Sequence, residues 1–300
     1  MSLSEACYSG RCGGCCLRSI LELEKHPLVA AAREIAERID ITTLPPASAS
    51  AARLVIDLAA ISSEGPSVVE AVPELVIRAL ERGAPLTEDE LAQPTSRFIT
   101  MPVSMEDIWA QAEDLARHLS PLLVSGGTLL DVGGGMGGYT AAVLGSAPRA
   151  RAVLFDVPSI ANTARRFLHG FGSRASVREI DLLGESLPQL GGRVALVADV
   201  LHVLPPDATP RLLREIFAAL QPGGQIIIVE IDAESLRGRL FRLVAWLRGA
   251  GVRLHSEAAL ASELRAAGFE AITRLPSKAP WEPLVLAGAK GQGVDIFGID

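Results

Sequence analysis

A chain of 300 residues holds one large domain, or a core domain with a smaller one beside it. Its net charge of −7 lacks the basic excess of a nucleic-acid binder, and no apolar run reaches the length of a membrane span. Only 4% of the residues are aromatic while 49% are hydrophobic, so the core is expected to be aliphatic.

All four cysteines fall at the start: Cys7, Cys12, Cys15 and Cys16. Three of them fit C-x4-C-x2-C, the opening of the plant-type 2Fe–2S spacing, but the distant fourth cysteine has no counterpart here. Adjacent Cys15 and Cys16 are awkward as two ligands of one ion. No metal is therefore expected, and residues 1–16 read as a separate, reduced Cys-rich segment, with a thiol role left open. Arg11 and Arg18 do not flank a signal-peptide core, which points to a cytoplasmic protein. Richness in Ala, Arg, Leu and Gly suggests a bacterial source.

Residues 17–97 read as a helical domain. Leu17–Arg38 has apolar residues at helical spacing, interrupted near Pro27. Thr42–Ser50 is a Pro/Ser/Ala-rich turn. Helices are expected at Ala51–Ser62, Ser67–Arg82 and Thr87–Leu91, the last opened by a capping box of Thr87 and Glu90. The expected role of this domain is to cover the substrate side of a catalytic domain or to form a homodimer contact through its helices.

From Gly127 strands and helices alternate. Strands are expected at Thr128–Val132, Ala152–Phe155, Ser176–Ile180, Val194–Val200 and Gln225–Ile231. Helices are expected at Gly138–Leu144, Ile160–His169 and Thr209–Leu220. Ser256–Ala267 is a further helix stopped by Gly268, and Ala271–Leu275 and Pro283–Ala289 are two closing strands. Alternation of this kind specifies an α/β fold with a doubly wound, Rossmann-like sheet. The tail 291–300 has no evident partner in the fold.

Such sheets bind ligands at the carboxyl ends of their strands. The first strand runs through Asp131 into Gly133-Gly-Gly-Met-Gly-Gly138. That run satisfies G-x-G-x-x-G and equally the D-x-G-x-G-x-G of S-adenosylmethionine (SAM) sites, where bare glycine backbone passes close under a ligand. Asp156 ends the second strand, where an acid accepts hydrogen bonds from ribose hydroxyls. Asp181 and Leu182 follow the third, suited to an adenine edge and face. Asp199 and His202 follow the fourth, Asp199 as a further cofactor-binding acid, and Glu230 closes the fifth. Each acid is also a common turn or cap residue; the order of all of them is the informative part.

That order resembles the small-molecule SAM-dependent O-methyltransferases of the caffeate and hydroxyindole type. The resemblance runs from Phe98 to Lys290 on Asp131–Gly138, Phe155-Asp-Val-Pro158, Asp181-Leu182, Val200-Leu-His202 and Leu220-Gln-Pro-Gly-Gly224. It implies a SAM-dependent methyltransferase domain over residues 98–290, with Gly133 and Gly135 against the methionine part, Asp156 on the ribose, and Asp181 with Leu182 on adenine. It further implies His202 as catalytic base and Glu230 as the acid that orients it. The implied acceptor is a hydroxyl (alternatively a thiol or amine) of a small molecule, in secondary metabolism. Two departures stand out. Val203-Leu204 replace the family's Asp-Trp, and Leu254-His-Ser256 replace its Glu-Arg-Thr, so its second acid is missing. A SAM-binding enzyme that catalyses cyclisation or rearrangement therefore stays open. A nicotinamide dehydrogenase leaves the Pro-Gly-Gly turn and His202 unexplained, and a metal-binding scaffold leaves the strand-end acids unexplained. Asp232–Arg253 reads as an amphipathic helix carrying Arg237, Arg239, Arg242 and Arg248, either solvated or a lid over an anionic substrate. Met101, Met105 and Trp109 stand where the family's substrate pocket begins, at a helical spacing that equally fits a core.

Overall fold

The computed structural model describes residues 26–60, 71–94, 96, 105–278 and 283–291. The four cysteines, Leu17–Lys25, Met101 and the tail beyond Gly291 lie outside them. The chain divides into two compact units: residues 1–104 with 233–252, and residues 105–232 with 253–300.

The first unit is helical. Helix α1 (Pro27–Arg38) starts where the sequence showed an interruption. Pro27 occupies the first turn, where its missing N–H costs nothing, and the His26 ring accepts the Leu28 N–H. Two short 3-10 turns, Ile41–Thr43 and Pro46–Ser48, fill the expected linker and lead into α2 (Ala49–Ala59). Helix α3 (Ala71–Arg82) follows, and α4 (Glu88–Ala92) opens on the expected capping box, with both reciprocal bonds between Thr87 and Glu90 present. The core of this unit joins Leu28, Ile35, Leu58 and Leu75 to Leu240, Leu243 and Leu247. The last three residues come from far along the chain.

The second unit opens with α5 (Met105–Leu123), a helix the sequence pattern had marked only through Met105 and Trp109. Its buried Ala112, Leu115, Ala116, Leu119 and Leu123 recur at helical spacing. Then come β1 (Gly127–Val132), α6 (Gly138–Ser146), β2 (Ala150–Asp156), α7 (Pro158–Phe167), β3 (Ala175–Glu179), β4 (Gly192–Ala198), α8 (Ala208–Ala219) and β5 (Leu220–Glu230). After α9 (Leu236–Leu247), which belongs to the helical unit, the chain finishes with α10 (Glu257–Ala266), β6 (Glu270–Arg274) and β7 (Leu284–Ala289).

The seven strands lie in the order β3-β2-β1-β4-β5-β7-β6, with the first five parallel and β7 antiparallel to both its neighbours. Successive residues face opposite sides. Leu130, Ala195 and Ile226 pack beneath α8 and α10, while Leu129, Val194 and Ile227 pack beneath α5 and α6. This is a Rossmann-like α/β sheet. Pro222-Gly-Gly224 lies within β5 as an irregularity: pairing with β4 jumps from Leu220↔Gly192 to Gln225↔Val194. Trp109 packs against the α5–α6 side of the core and meets the Phe167 ring at 5.8 Å.

Candidate active site

Strand order reverses between β1 and β4, and the glycine turn leaves β1 at that point. Gly133 and Gly134 both donate to the Phe155 carbonyl, at 2.8 and 3.2 Å, which bends the turn across β2. The glycines then do different jobs. A Cβ on Gly133 would lie 2.5 Å from Val200, so the turn packs directly against the residues that follow β4. One on Gly134 would strike Leu154 at 2.6 Å. One on Gly135 would meet nothing within 4 Å, although its φ of +57° still selects glycine. Gly135 is thus the bare position that faces open space. Its N–H donates to Asp156 Oδ2 at 2.8 Å, and Asp156 Oδ1 accepts the Val157 N–H at 2.8 Å. The acid that ends β2 thereby holds the turn in shape. Gly137 caps α6, whose N-terminal N–H groups favour negative charge nearby.

Asp131 is 1% exposed. Thr140, in the first turn of α6, donates to its Oδ2 at 2.6 Å, while Oδ1 has no hydrogen-bond partner. Burial pushes the carboxyl up to about 6; the Thr140 bonds oppose this and the charge of Asp156 adds to it. A buried carboxylate with one unanswered oxygen is suited to a cationic ligand group.

Asp181 lies two residues beyond β3, exposed, and opens a turn by accepting the Leu183 N–H at 2.9 Å. Leu182 packs against the sheet's core beside it. Asp199 follows β4 directly in a left-handed conformation, φ +56°, with its N–H on the Val229 carbonyl at 2.9 Å. Strain of that kind at a strand end collects at functional sites.

A single 3-10 turn, Leu201–Val203, carries His202. His202 Nδ1 and Glu230 Oε2 are 2.8 Å apart, with the ring 8% and the acid 1% exposed. The other Glu230 oxygen accepts the Leu201 N–H at 2.6 Å. A carboxylate held by a backbone donor fixes the proton on Nδ1 and leaves Nε2 as the basic nitrogen. Asp199, His202 and Glu230 each bring a donor atom within 4.8 Å of one another, but both Glu230 oxygens are already engaged by Leu201 and the ring.

Asp131, Gly135, Asp156 and the His202–Glu230 pair therefore stand on neighbouring strand ends, joined by the Gly133–Val200 contact. Sequence reasoning missed Thr140, and it named Val200 only within the Val200-Leu-His202 motif, without its packing against Gly133. Leu254, at the position of the missing second acid, is half-buried.

Sheet, glycine turn and strand-end pair define a Rossmann-like protein built for a nucleotide-type ligand. The O-methyltransferase domain family matches residues 88–242, just over half of the chain, and the chain belongs to that family. Mitomycin biosynthesis 6-O-methyltransferase of Streptomyces lavendulae is 33% identical over 153 residues, which are 50% of this chain and 43% of the relative. The 3-amino-4-hydroxybenzoate 4-O-methyltransferase of Streptomyces cremeus is 35% identical over 158 residues, 49% of this chain and 42% of the relative. The matched region thus spans less than half the length of either relative. Among solved structures, the O-methyltransferase family 2 protein of Planctomyces limnophilus in complex with apigenin superposes with a TM-score of 0.59 at 20% identity. The alignment covers 89% of this chain and 92% of that one, and it bears on the fold alone. Among the described residues, no helix is long and apolar enough to cross a membrane.

Proposed function

We propose that the chain is a SAM-dependent methyltransferase acting on a hydroxyl of a small molecule, with His202 as the base. The buried His202–Glu230 hydrogen bond, 2.8 Å long and on the strand ends beside the glycine turn, carries this proposal. The family favours methyl transfer over cyclisation or rearrangement, and the two Streptomyces relatives are named for O-methylation of small molecules.

The residues present fit the cofactor. The open space at Gly135 accepts a ligand against bare backbone, and the unanswered Asp131 oxygen suits an ammonium group. Asp156 would bind the ribose, Asp181 with Leu182 would hold adenine, and Asp199 would add a fourth acid beside Asp131, Asp156 and Asp181. SAM, when bound, supplies an electrophilic methyl on a sulfonium. The protein's part is to hold the acceptor oxygen in line and to remove its proton. His202 Nε2 takes that proton, and Glu230 keeps the ring in the accepting tautomer and stabilises the imidazolium that forms.

Because SAM is a cytoplasmic metabolite, the proposal includes a cytoplasmic setting. It also includes a homodimer through the N-terminal helices, which sedimentation velocity tests. The decisive variant is His202→Ala. With a panel of phenolic acceptors, turnover is expected to fall by about 10²–10⁴, while SAM affinity by calorimetry stays within about twofold. Wild-type turnover in the variant would remove His202 from the chemistry.

A further inference from the structure

His202 sits on one turn of 3-10 helix, which is a soft element. Glu230 fixes this turn from one side, through the Leu201 N–H and the ring. A second hold is on the backbone: the Arg253 N–H donates to the His202 carbonyl at 3.1 Å. Arg253 lies in irregular chain, just where residues 253–300 resume the sheet unit. Its own position needs a cause.

The cause is its guanidinium. Nη2 meets Glu263 Oε1 at 2.7 Å, and Nη1 reaches the Pro206 carbonyl at 3.4 Å, three residues beyond the 3-10 turn. Glu263 stands on α10, whose Leu260 and Leu264 are fully buried in the sheet's core, so the carboxylate is mounted on a rigid element. Its second oxygen is buried, without a hydrogen-bond partner, and 3.7 Å from His255 Nε2. The His255 ring is 2% exposed with neither nitrogen hydrogen-bonded, and burial pushes it toward its neutral form. Arg253 is the cation that meets this carboxylate at hydrogen-bond distance. The backbone of His255 is held in turn by a parallel bridge to Asp232, two residues past Glu230. Segment 253–255 therefore links the backbone of His202 to the chain just past Glu230, and Arg253 pins it to α10.

We propose that Glu263 is a positioning residue for His202, acting through Arg253. The role presupposes His202 acting as the base proposed above. It belongs to a position outside the strand-end motifs, in a chain where Leu254 stands in place of the family's second acid. The pair is partly exposed, so it adds little to overall stability. Its effect is on geometry, where a displacement of about 1 Å costs roughly 10²-fold in rate.

The test uses the full chain without acceptor, so a protein that transfers no methyl group still gives a result. In Glu263→Ala, exchange of the Arg253 amide is expected to quicken by at least about tenfold, since opening of that hydrogen bond then limits it. The His202 Nδ1 proton resonance, assigned by its loss in His202→Gln, should broaden. Glu263→Gln, which keeps an acceptor for Arg253, should restore both signals in large part. The Gly133 amide, bonded to Phe155, serves as control and should not change. Unchanged Arg253 exchange in Glu263→Ala would overturn the proposal, as would loosening of the Gly133 amide to the same degree. If Glu263→Ala does not fold, Arg253→Met takes its place: there, an unchanged His202 resonance overturns the proposal and broadening supports it. With an acceptor that turns over, kcat in Glu263→Ala should fall by about 10–100-fold at unchanged SAM affinity.

Discussion

In the proposed cofactor site, Asp131 concentrates the conflict between stability and binding in one side chain. Its carboxyl is buried, its Oδ1 is unanswered, and its pKa stands at about 6 against an ordinary 3.8. A carboxyl raised by folding stabilises the protein fully below about pH 4 and loses that contribution as pH rises through about 6. At neutral pH the ionised group therefore costs the ligand-free protein up to about 3 kcal/mol, the free-energy equivalent of that shift. Asp131→Asn is expected to raise the unfolding free energy at pH 7 by roughly 1–3 kcal/mol, measured by urea denaturation, with the gain gone near pH 3. The same variant should bind SAM more weakly. A variant no more stable than wild type at pH 7 would contradict the burial cost. Much at this scale was legible before the fold. Acids at strand ends announce themselves through their position after apolar runs. Thr140 and Val200 do not, because a threonine in a first turn and a valine after a strand have ordinary reasons to be there. Nor does the sequence tell the glycines apart: the structure sets Gly133 against Val200 and Gly135 against open space.

Among the elements, α4 shows how much a few residues contribute when they act together. Five residues are too few for a helix to persist on propensity. Thr87 Oγ1 accepts the Glu90 N–H at 3.2 Å, the Glu90 carboxylate accepts the Thr87 N–H at 2.8 Å, and Arg82 of α3 reaches the same carboxylate at 2.9 Å. The bond to Arg82, then the one from the Thr87 backbone, draw the Glu90 carboxyl down to about 2 from an ordinary 4.5. A depressed carboxyl stabilises the fold above about pH 4.5 and loses that contribution as pH falls toward 2. Thr87→Ala is expected to cost about 1 kcal/mol. Glu90→Gln should cost about 1–3 kcal/mol at pH 7, and this difference from wild type should shrink steadily on acidification below pH 4.5, followed by circular dichroism in urea. A pH-independent difference would mean that shape, not charge, makes the contact. This capping box could be read directly from Thr87 and Glu90, as could five parallel strands from their apolar runs. Helix α5 was harder. Its stripe of Ala and Leu is weaker than a stripe of large residues, and Pro121 in its final turn reads as a breaker. The irregularity at Pro222-Gly-Gly224 looked like a turn because its residues are turn residues, yet strand pairing resumes on the far side.

Across the whole chain, the least legible feature is where α9 belongs. Its arginines, interleaved with leucines and other apolar residues, read as a solvated helix or as a lid, and neither reading assigns it to a core. The structure gives its apolar side to the helical unit: Leu240, Leu243, Val244 and Leu247 are at most 5% exposed, packed in one cluster with residues of α1, α2 and α3. Nearer the surface, Arg239 pairs with Asp57 of α2 at 3.8 Å. Residues 233–252 therefore leave the sheet unit after β5 and complete a core whose other half lies at the start of the chain. This has a cost for truncation. Each of those four side chains gains about 1.5–3 kcal/mol from burial, so together they represent roughly 6–12 kcal/mol, comparable with the whole stability of a domain. A fragment of residues 105–300 keeps all seven strands of the described sheet but leaves this face uncovered. It is expected to aggregate on expression, or to bind an apolar dye strongly while retaining the circular dichroism of an α/β sheet. Replacing residues 236–247 in that fragment with a Gly/Ser linker should remove the dye binding and restore solubility. Should the unmodified fragment prove soluble and dye-silent, the apolar face of α9 would have to find its cover within the sheet unit instead.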